Sequence, residues 1–357
     1  MPFNTVFSWL IGRRMTRIND YRQDPISNQH KTFHFLLKNG SETNYGSKTG
    51  IQTSLSIRTF QETIPLSDYG SLKPYIDASI LGEENHLWPG KTTWFAKSSG
   101  TTASRIKILP ITKDSLFENH YAGGKDLLAQ YYANHSKRKL YNAKHLIIGG
   151  SGKIEQSEDG VFIGDLSAII VKNLPFWAEI RRTPSKEIAL MSEWESKIEK
   201  MALSTIEEDV YILAGVPSWT MVLSNKILEI TGKSNLKEVW PNLELFMHGG
   251  VNFEPYREEF KRLIPDPEMH YVETYNASEG FFGIQDIVDT GDLLLMLDYG
   301  IYYEFIPMES YKGVHSTTVI DLSEVEPGVN YAMVISTNAG IWRYIIGDTV
   351  MFTSTLP

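Results

Sequence analysis

Residues 95–110 read FAKSSGTTASRIKILP. An apolar approach, Thr93-Trp94-Phe95-Ala96, enters a run of small hydroxyl residues around one glycine, Ser98-Ser99-Gly100-Thr101-Thr102, and a second apolar run, Ile106–Ile111, leaves it. In such a turn successive backbone N–H groups converge and the hydroxyls add donors, which is how a loop wraps a polyphosphate. Lys107 would supply a point charge to it. It is not a Walker loop. That pattern needs a second glycine with an adjacent lysine, and Arg105 and Ile106 fill the space instead. A Ser/Thr/Gly run by itself is usually a surface turn. The strand-like flanks distinguish this one.

Outward from that stretch the chain alternates strand and helix. Residues 144–150 (KHLIIGG) read as a short buried strand, 184–205 as a helix with Ile188, Met191, Trp194, Ile198 and Met201 on one face, and 210–216 as a strand. Pro217 then stands where the first turn of a helix tolerates it. A strand over 243–247, a turn at Gly249-Gly250 and a helix over 255–263 follow. From His270 the pattern becomes short strands, with turn signals at Asp298-Tyr299-Gly300, Glu326-Pro327-Gly328 and Asn338-Ala339-Gly340, closing on a strand over 342–352. The expected class is α/β: sheets flanked by helices, passing into an antiparallel, barrel-like C-terminal region. At 357 residues this is two domains or one large body, and no repeat or linker divides it.

Composition narrows the function. With 34 basic against 43 acidic residues the net charge is −9, which suits nucleic-acid binding poorly. The absence of cysteine excludes disulfides, thiolate zinc sites, iron–sulfur clusters and a cysteine nucleophile, and fits a reducing cytoplasm. No stretch approaches the ~18 apolar residues of a membrane span. Residues 1–11 (MPFNTVFSWLI) carry apolar positions at helical spacing, Phe3, Val6, Phe7, Leu10 and Ile11, followed by Arg13, Arg14 and Arg17. A docked amphipathic helix is preferred here over a membrane-surface anchor.

Several local patterns carry less. Gly149-Gly150-Ser151-Gly152-Lys153 lacks the third glycine of GxGxxG, and a lysine stands where GxSxG needs glycine. His30 and His34 have the spacing of a helical metal pair but no third ligand nearby. His120-Tyr121 falls on the helix after the phosphate loop, where core packing is the plainer reading.

Two further stretches carry usable chemistry. In 271–280, YVETYNASEG, Tyr275 offers a flat face for a base, Ser278 hydrogen bonds, and Glu279 a hard oxygen ligand for Mg2+. In 340–350, GIWRYIIGDTV, Gly347-Asp348 presents a carboxylate at the end of an apolar strand, where it can accept from both hydroxyls of a ribose.

In this order and spacing the three stretches resemble the phosphate, adenine and ribose motifs of the adenylate-forming superfamily that includes firefly luciferase. Within it the details resemble the auxin-responsive family of acyl-acid-amido synthetases, whose pattern is approximately SSGTT-x-x-x-x-K, Y-x-x-SEG and YRY-x-x-GD. Residues 214–219 (AGVPSW), 248–256 (HGGVNFEPY) and 303–308 (YEFIPM) extend the likeness over nearly the whole chain. Two departures stand out. Ala103 and Ser104 replace the glycine often found after the threonine pair, and Ile345 replaces an arginine of the third motif.

The resemblance implies that Ser98, Ser99, Gly100, Thr101, Thr102 and Lys107 hold the phosphates of ATP. Gly250, Val251 and Tyr275 would enclose the adenine, Ser278 would lie near the base and α-phosphate, and Glu279 would bind Mg2+. Asp348 would take the ribose with Arg343 beside it. Trp219, Tyr303 and Phe305 would border the acyl acid. It also implies a reaction: the acid's carboxylate attacks the α-phosphate, pyrophosphate leaves, and an amino acid's amine captures the acyl-adenylate. The partners are then a small carboxylic acid and an amino acid, with no nucleic acid, membrane or obligate protein partner. Residues 1–357 would form the large N-terminal adenylation domain, with a smaller C-terminal cap domain expected after them. The alternatives are an acyl–coenzyme A ligase of the same superfamily and a non-catalytic nucleotide-binding module.

Overall fold

In the computed structural model, which describes residues 2–99, 106–135, 144–150, 152–287 and 290–355, a seven-stranded sheet forms the framework. Five of its strands run parallel in the spatial order Arg182–Thr183, Lys144–Ile148, Val210–Gly215, Leu245–Gly249 and His270–Ala277. Val210–Gly215 and Leu245–Gly249 are apolar almost throughout because helices cover both faces of the sheet. On one face Ile198 and Met201 of the helix Trp194–Thr205, and Leu223 and Ile227 of the helix Pro217–Thr231, pack against Leu213 and Phe246. On the other, Leu127 and Tyr131 of the helix Tyr121–Asn134 join Ile212 and Leu245. In an open parallel sheet the crevice for ligands lies outside the carboxyl ends of the strands. Here those ends carry Gly149-Gly150, Val216, Gly249-Gly250 and Ser278.

The expected shift to antiparallel pairing at His270 comes one strand later. His270–Ala277 still pairs in parallel with Leu245–Gly249, and direction reverses only in the tight turn that leads to Gly280–Ile284. Beyond it, Ile320–Asp321, Ile301–Pro307, Asn330–Thr337 and Tyr344–Met351 form a four-stranded antiparallel sheet. A third sheet joins Ile106–Ile111 antiparallel to Trp94–Ser99, which runs parallel to Phe162–Asp165.

The expected single helix over 184–205 is two, Lys186–Ala189 and Trp194–Thr205. Ser185 caps the first and the Glu193 carboxylate caps the second by accepting from the Glu195 and Ser196 amides. The intervening Met191 carbonyl accepts from the Gly152 amide at 3.1 Å, so a tertiary hydrogen bond takes the place of helical ones.

At the N-terminus the helix Pro2–Gln23 forms as expected. The side chains of Phe3, Val6, Phe7, Leu10 and Ile11 lie outside the described residues. Its second half docks through ions: Arg14 donates to both oxygens of fully buried Asp126 at 2.5 and 2.6 Å, Arg17 pairs with Asp298 and Arg22 with Asp286. Asp24 then caps the helix Pro25–Gly40, where buried Gln29 donates to the Leu297 and Ile301 carbonyls and accepts from the Tyr303 amide. Among the described residues no helix is long and apolar enough to cross a membrane.

Candidate functional site

The hydroxyl-rich hairpin brings its lysine to the antiparallel sheet. Ser98 and Lys107 are opposite partners in the ladder of Trp94–Ser99 with Ile106–Ile111. Lys107 Nζ donates to the Tyr344 hydroxyl at 3.1 Å and lies 5.7 Å from the centre of that ring. Gly100, Thr101 and Thr102 lie outside the described residues, as does the side chain of Ser99.

Asp348 is aimed by a bulge. Ala332 faces Thr349 and Val334 faces Ile345, so Ile346, Gly347 and Asp348 together span the single residue Met333. Gly347 takes φ +98°, which glycine alone adopts without strain. The Asp348 carboxylate thereby accepts the Tyr275 hydroxyl at 2.6 Å, and burial followed by this hydrogen bond pushes the phenol well above its ordinary range. Glu279 completes the group from the turn between His270–Ala277 and Gly280–Ile284, where it is 7% exposed. Burial raises its carboxyl, the Lys107 charge opposes that and the Asp348 charge adds to it. The three stretches therefore converge: Lys107, Tyr344, Glu279, Asp348 and Tyr275 lie within one electrostatic neighbourhood.

The floor is stiff. Asn119 accepts from the Phe281 amide at 2.8 Å and donates to the Tyr299 carbonyl at 3.2 Å, holding the strand that follows Glu279. A Cβ at Gly249 would lie 2.5 Å from the Thr274 carbonyl oxygen, so glycine is required for this close approach. Gly250 follows at φ +81°, with Val251 exposed beside it, and a Cβ there would stand 3.5 Å from Val216. Just before them His248 stacks on Phe253 with centroids 3.9 Å apart, and burial, then the Arg257 charge, lowers it to about 3. Among the described residues no cluster of three or more His, Asp or Glu forms a ready-made metal cage.

Comparison with known families gives this arrangement a context. The GH3 family N-terminal domain matches residues 14–269 and the GH3 family central domain matches residues 294–357. The chain belongs to the GH3 family.

Among curated relatives, an indole-3-acetic acid-amido synthetase, GH3.2 of Arabidopsis thaliana, is 21% identical over 94% of this chain and 73% of its own length. The chain spans 66%, 64% and 63% of three other plant indole-3-acetic acid-amido synthetases. Among solved structures, the GH3.15 acyl acid amido synthetase in complex with 2,4-DB aligns with a TM-score of 0.79 at 17% identity, over 96% of this chain and 68% of that one. A 2-hydroxyisobutyryl-CoA ligase in complex with 2-HIB-AMP and CoA aligns at 0.57 with 10% identity, over 90% of this chain and 69% of that one. These likenesses fix an adenylate-forming fold.

Within this GH3 chain three expected site residues are corrected. Arg343 is 2% exposed at φ +42°. Its guanidinium grips the wholly buried Glu304 through two hydrogen bonds of 3.0 Å and donates to the Gln61 and Ile64 carbonyls. All of these bonds go to the protein itself, so the guanidinium serves to anchor the fold. Tyr303 and Phe305 are both 0% exposed. The Tyr303 hydroxyl donates to the Met296 carbonyl and Phe305 packs edge-on against Tyr331 and Phe352, so both side chains are spent on core packing and face no open space here. Trp219 remains available: it is half-buried near the start of its helix, beside Trp194. Conversely, Tyr344 and Asn119 belong to the arrangement although the sequence reading gave them no role. The tyrosine of the third motif was a usable signal for the first, and nothing local marked the second.

Proposed function

We propose that this chain binds ATP with Mg2+ and activates a carboxylic acid as its acyl-adenylate, the first half of an acyl-acid-amido synthesis completed by an amino acid. The observation that carries this reading is the meeting of Lys107, Glu279 and the Tyr275–Asp348 pair at the carboxyl edge of the sheet, reached from three distant segments. Lys107 would meet phosphate charge from the hairpin that holds Ser98. Asp348, holding the Tyr275 hydroxyl, keeps further lone pairs for ribose hydroxyls. Tyr275, Gly250 and Val251 would flank the base, and Ser278 would offer a hydroxyl beside it. We also read residues 1–357 as one adenylation unit, because the Lys107–Tyr344 contact ties the N-terminal segment to the last strand.

Glu279 suits Mg2+. It is a buried carboxylate whose ionisation is opposed by its surroundings, so a cation would relieve it, and Mg2+ is ordinarily held by one or two carboxylates with substrate phosphates completing its shell. The ion would neutralise phosphate charge. The chain's own contribution is positioning: oriented donors and charges stabilise developing charge on the phosphorus oxygens without a protein nucleophile. That accords with a chain lacking cysteine. The same lack is in keeping with a cytoplasmic setting.

The test is ATP–pyrophosphate exchange in the intact protein across a panel of carboxylic acids, followed by product analysis with amino acids and with coenzyme A as acceptors. Exchange with at least one acid and amide formation with an amino acid are expected. A thioester product would move the assignment to an acyl–coenzyme A ligase, and no exchange with any acid would leave only nucleotide binding.

A further inference from the structure

The pair Gly149-Gly150 has no part in the nucleotide reading, yet it lies at the carboxyl end of Lys144–Ile148, on the sheet edge that carries Gly249-Gly250. Its environment is built. Lys197, 1% exposed, donates from Nζ to the Gly149 carbonyl at 3.1 Å and the Gly150 carbonyl at 2.5 Å. The Gly150 amide donates to Ser167 Oγ at 3.1 Å. Gly150 itself has no spare room: a Cβ there would lie 3.0 Å from the Trp219 indole and 3.1 Å from an Asp165 carboxylate oxygen.

The same helix reaches Trp219 by a second route. Trp194, three residues before Lys197 on Trp194–Thr205, sets its ring 5.8 Å from that of Trp219 at 60°. One helix thus reaches the indole by two routes, directly through Trp194 and indirectly through Lys197 and Gly150. Burial draws the Lys197 ammonium down and the Asp165 charge opposes that. Sequestering an ammonium is costly unless it is hydrogen-bonded, and here its bonds are spent on backbone carbonyls of a turn that an apolar residue could not grip.

We propose that Lys197 is a positioning residue for the acid end of the site: it presses the Gly149-Gly150 turn against Trp219 and so fixes the wall along which the apolar body of the carboxylic acid lies. The inference rests on the adenylation reading above and on Trp219 bordering the acid. It gives Gly150 a purpose, since only a residue without a side chain lets the backbone approach the indole this closely.

The experiment has two readouts in the intact protein. In ATP–pyrophosphate exchange, Lys197→Met is expected to raise KM for the acid about fivefold or more, with KM for ATP changing less than about twofold, the signature of lost acid binding and not of general damage. Ser167→Ala, a milder cut at the same turn, is expected to raise the acid KM in the same sense, and it carries this readout if Lys197→Met fails to fold. The second readout needs no turnover. The fluorescence difference between wild type and Trp219→Phe isolates that indole, and either turn variant is expected to make it more accessible to acrylamide. Unchanged quenching, or acid and ATP KM rising together, overturns the positioning role. Absence of acid-dependent exchange in the wild type overturns the adenylation reading instead, and the quenching result still decides whether Lys197 positions Trp219.

Discussion

Asp348 and Arg343 stand five positions apart in one motif and do opposite things. The aspartate is delivered to the site by the bulge at Gly347, where one carboxylate oxygen accepts the Tyr275 hydroxyl and the remaining lone pairs stay available. Asp348→Ala is therefore expected to weaken ATP binding by about 1.5–3 kcal/mol, the worth of hydrogen bonds to a charged group, as measured by calorimetry. An unchanged affinity would mean that Asp348 does not touch the ribose. The Gly-Asp pair was visible in the sequence, but how it is presented was not: the strand expected to end at Gly347-Asp348 runs on to Met351, and a bulge within it, not a terminus, sets the carboxylate's direction. The arginine was not legible. Its partner Glu304 lies in a different strand, and its other contacts are carbonyls of Gln61 and Ile64, which no local pattern announces. Tyr303 and Phe305, placed beside the acid by the resemblance, stand in a strand that is buried almost throughout, Ile301–Pro307, and nothing in the local sequence marks that burial.

Among the elements, the hairpin His270–Ala277/Gly280–Ile284 is the one on which the site depends most. Its turn carries Ser278 and Glu279, and it is held from below by the segment containing Asn119 and Gly123. A π-helical turn over Leu116–His120 leads into the helix Tyr121–Asn134, and Gly123 receives the face of Phe281 so closely that a Cβ would lie 2.6 Å from the ring. Gly123→Ala is expected to displace Phe281, to cost about 1–3 kcal/mol of stability through overpacking, and to weaken ATP binding by shifting Glu279. Thermal melting and calorimetry check this, and a variant with unaltered stability and affinity would show that the hairpin is not supported from the helix. Periodicity and turn residues marked most of these elements: the strands 144–148 and 210–215, the helix beginning at Pro217, and the strands Trp94–Ser99 and Ile106–Ile111 that flank the hydroxyl-rich run. It failed where tertiary bonds intervened. The break in the expected helix over 184–205 comes from a carbonyl claimed by Gly152, and the parallel pairing of His270–Ala277 depends on a neighbouring strand that periodicity does not identify.

At the scale of the whole molecule, the fold hides titratable groups and will respond to acid. Burial lowers His120 to about 4, and burial with the Arg257 charge lowers His248 to about 3, against about 6.5 in an unfolded chain. As pH falls below about 6.5 the unfolded state takes up protons that the folded state refuses. Each histidine then removes stability at up to about 1.4 kcal/mol per pH unit until its folded value is reached. Urea unfolding between about pH 6 and pH 4.5 is expected to show a shallower loss of stability for His120→Gln than for the wild type; identical slopes would mean that His120 is not held neutral. The architecture that buries these rings also closes three remote segments upon one another, and that closure is the account's central claim. It is tested most directly by titrating this chain with ATP in the presence of Mg2+ by calorimetry. The account predicts a saturable heat with one-site stoichiometry and a Kd below about 1 mM, and no binding heat at millimolar ATP would contradict it.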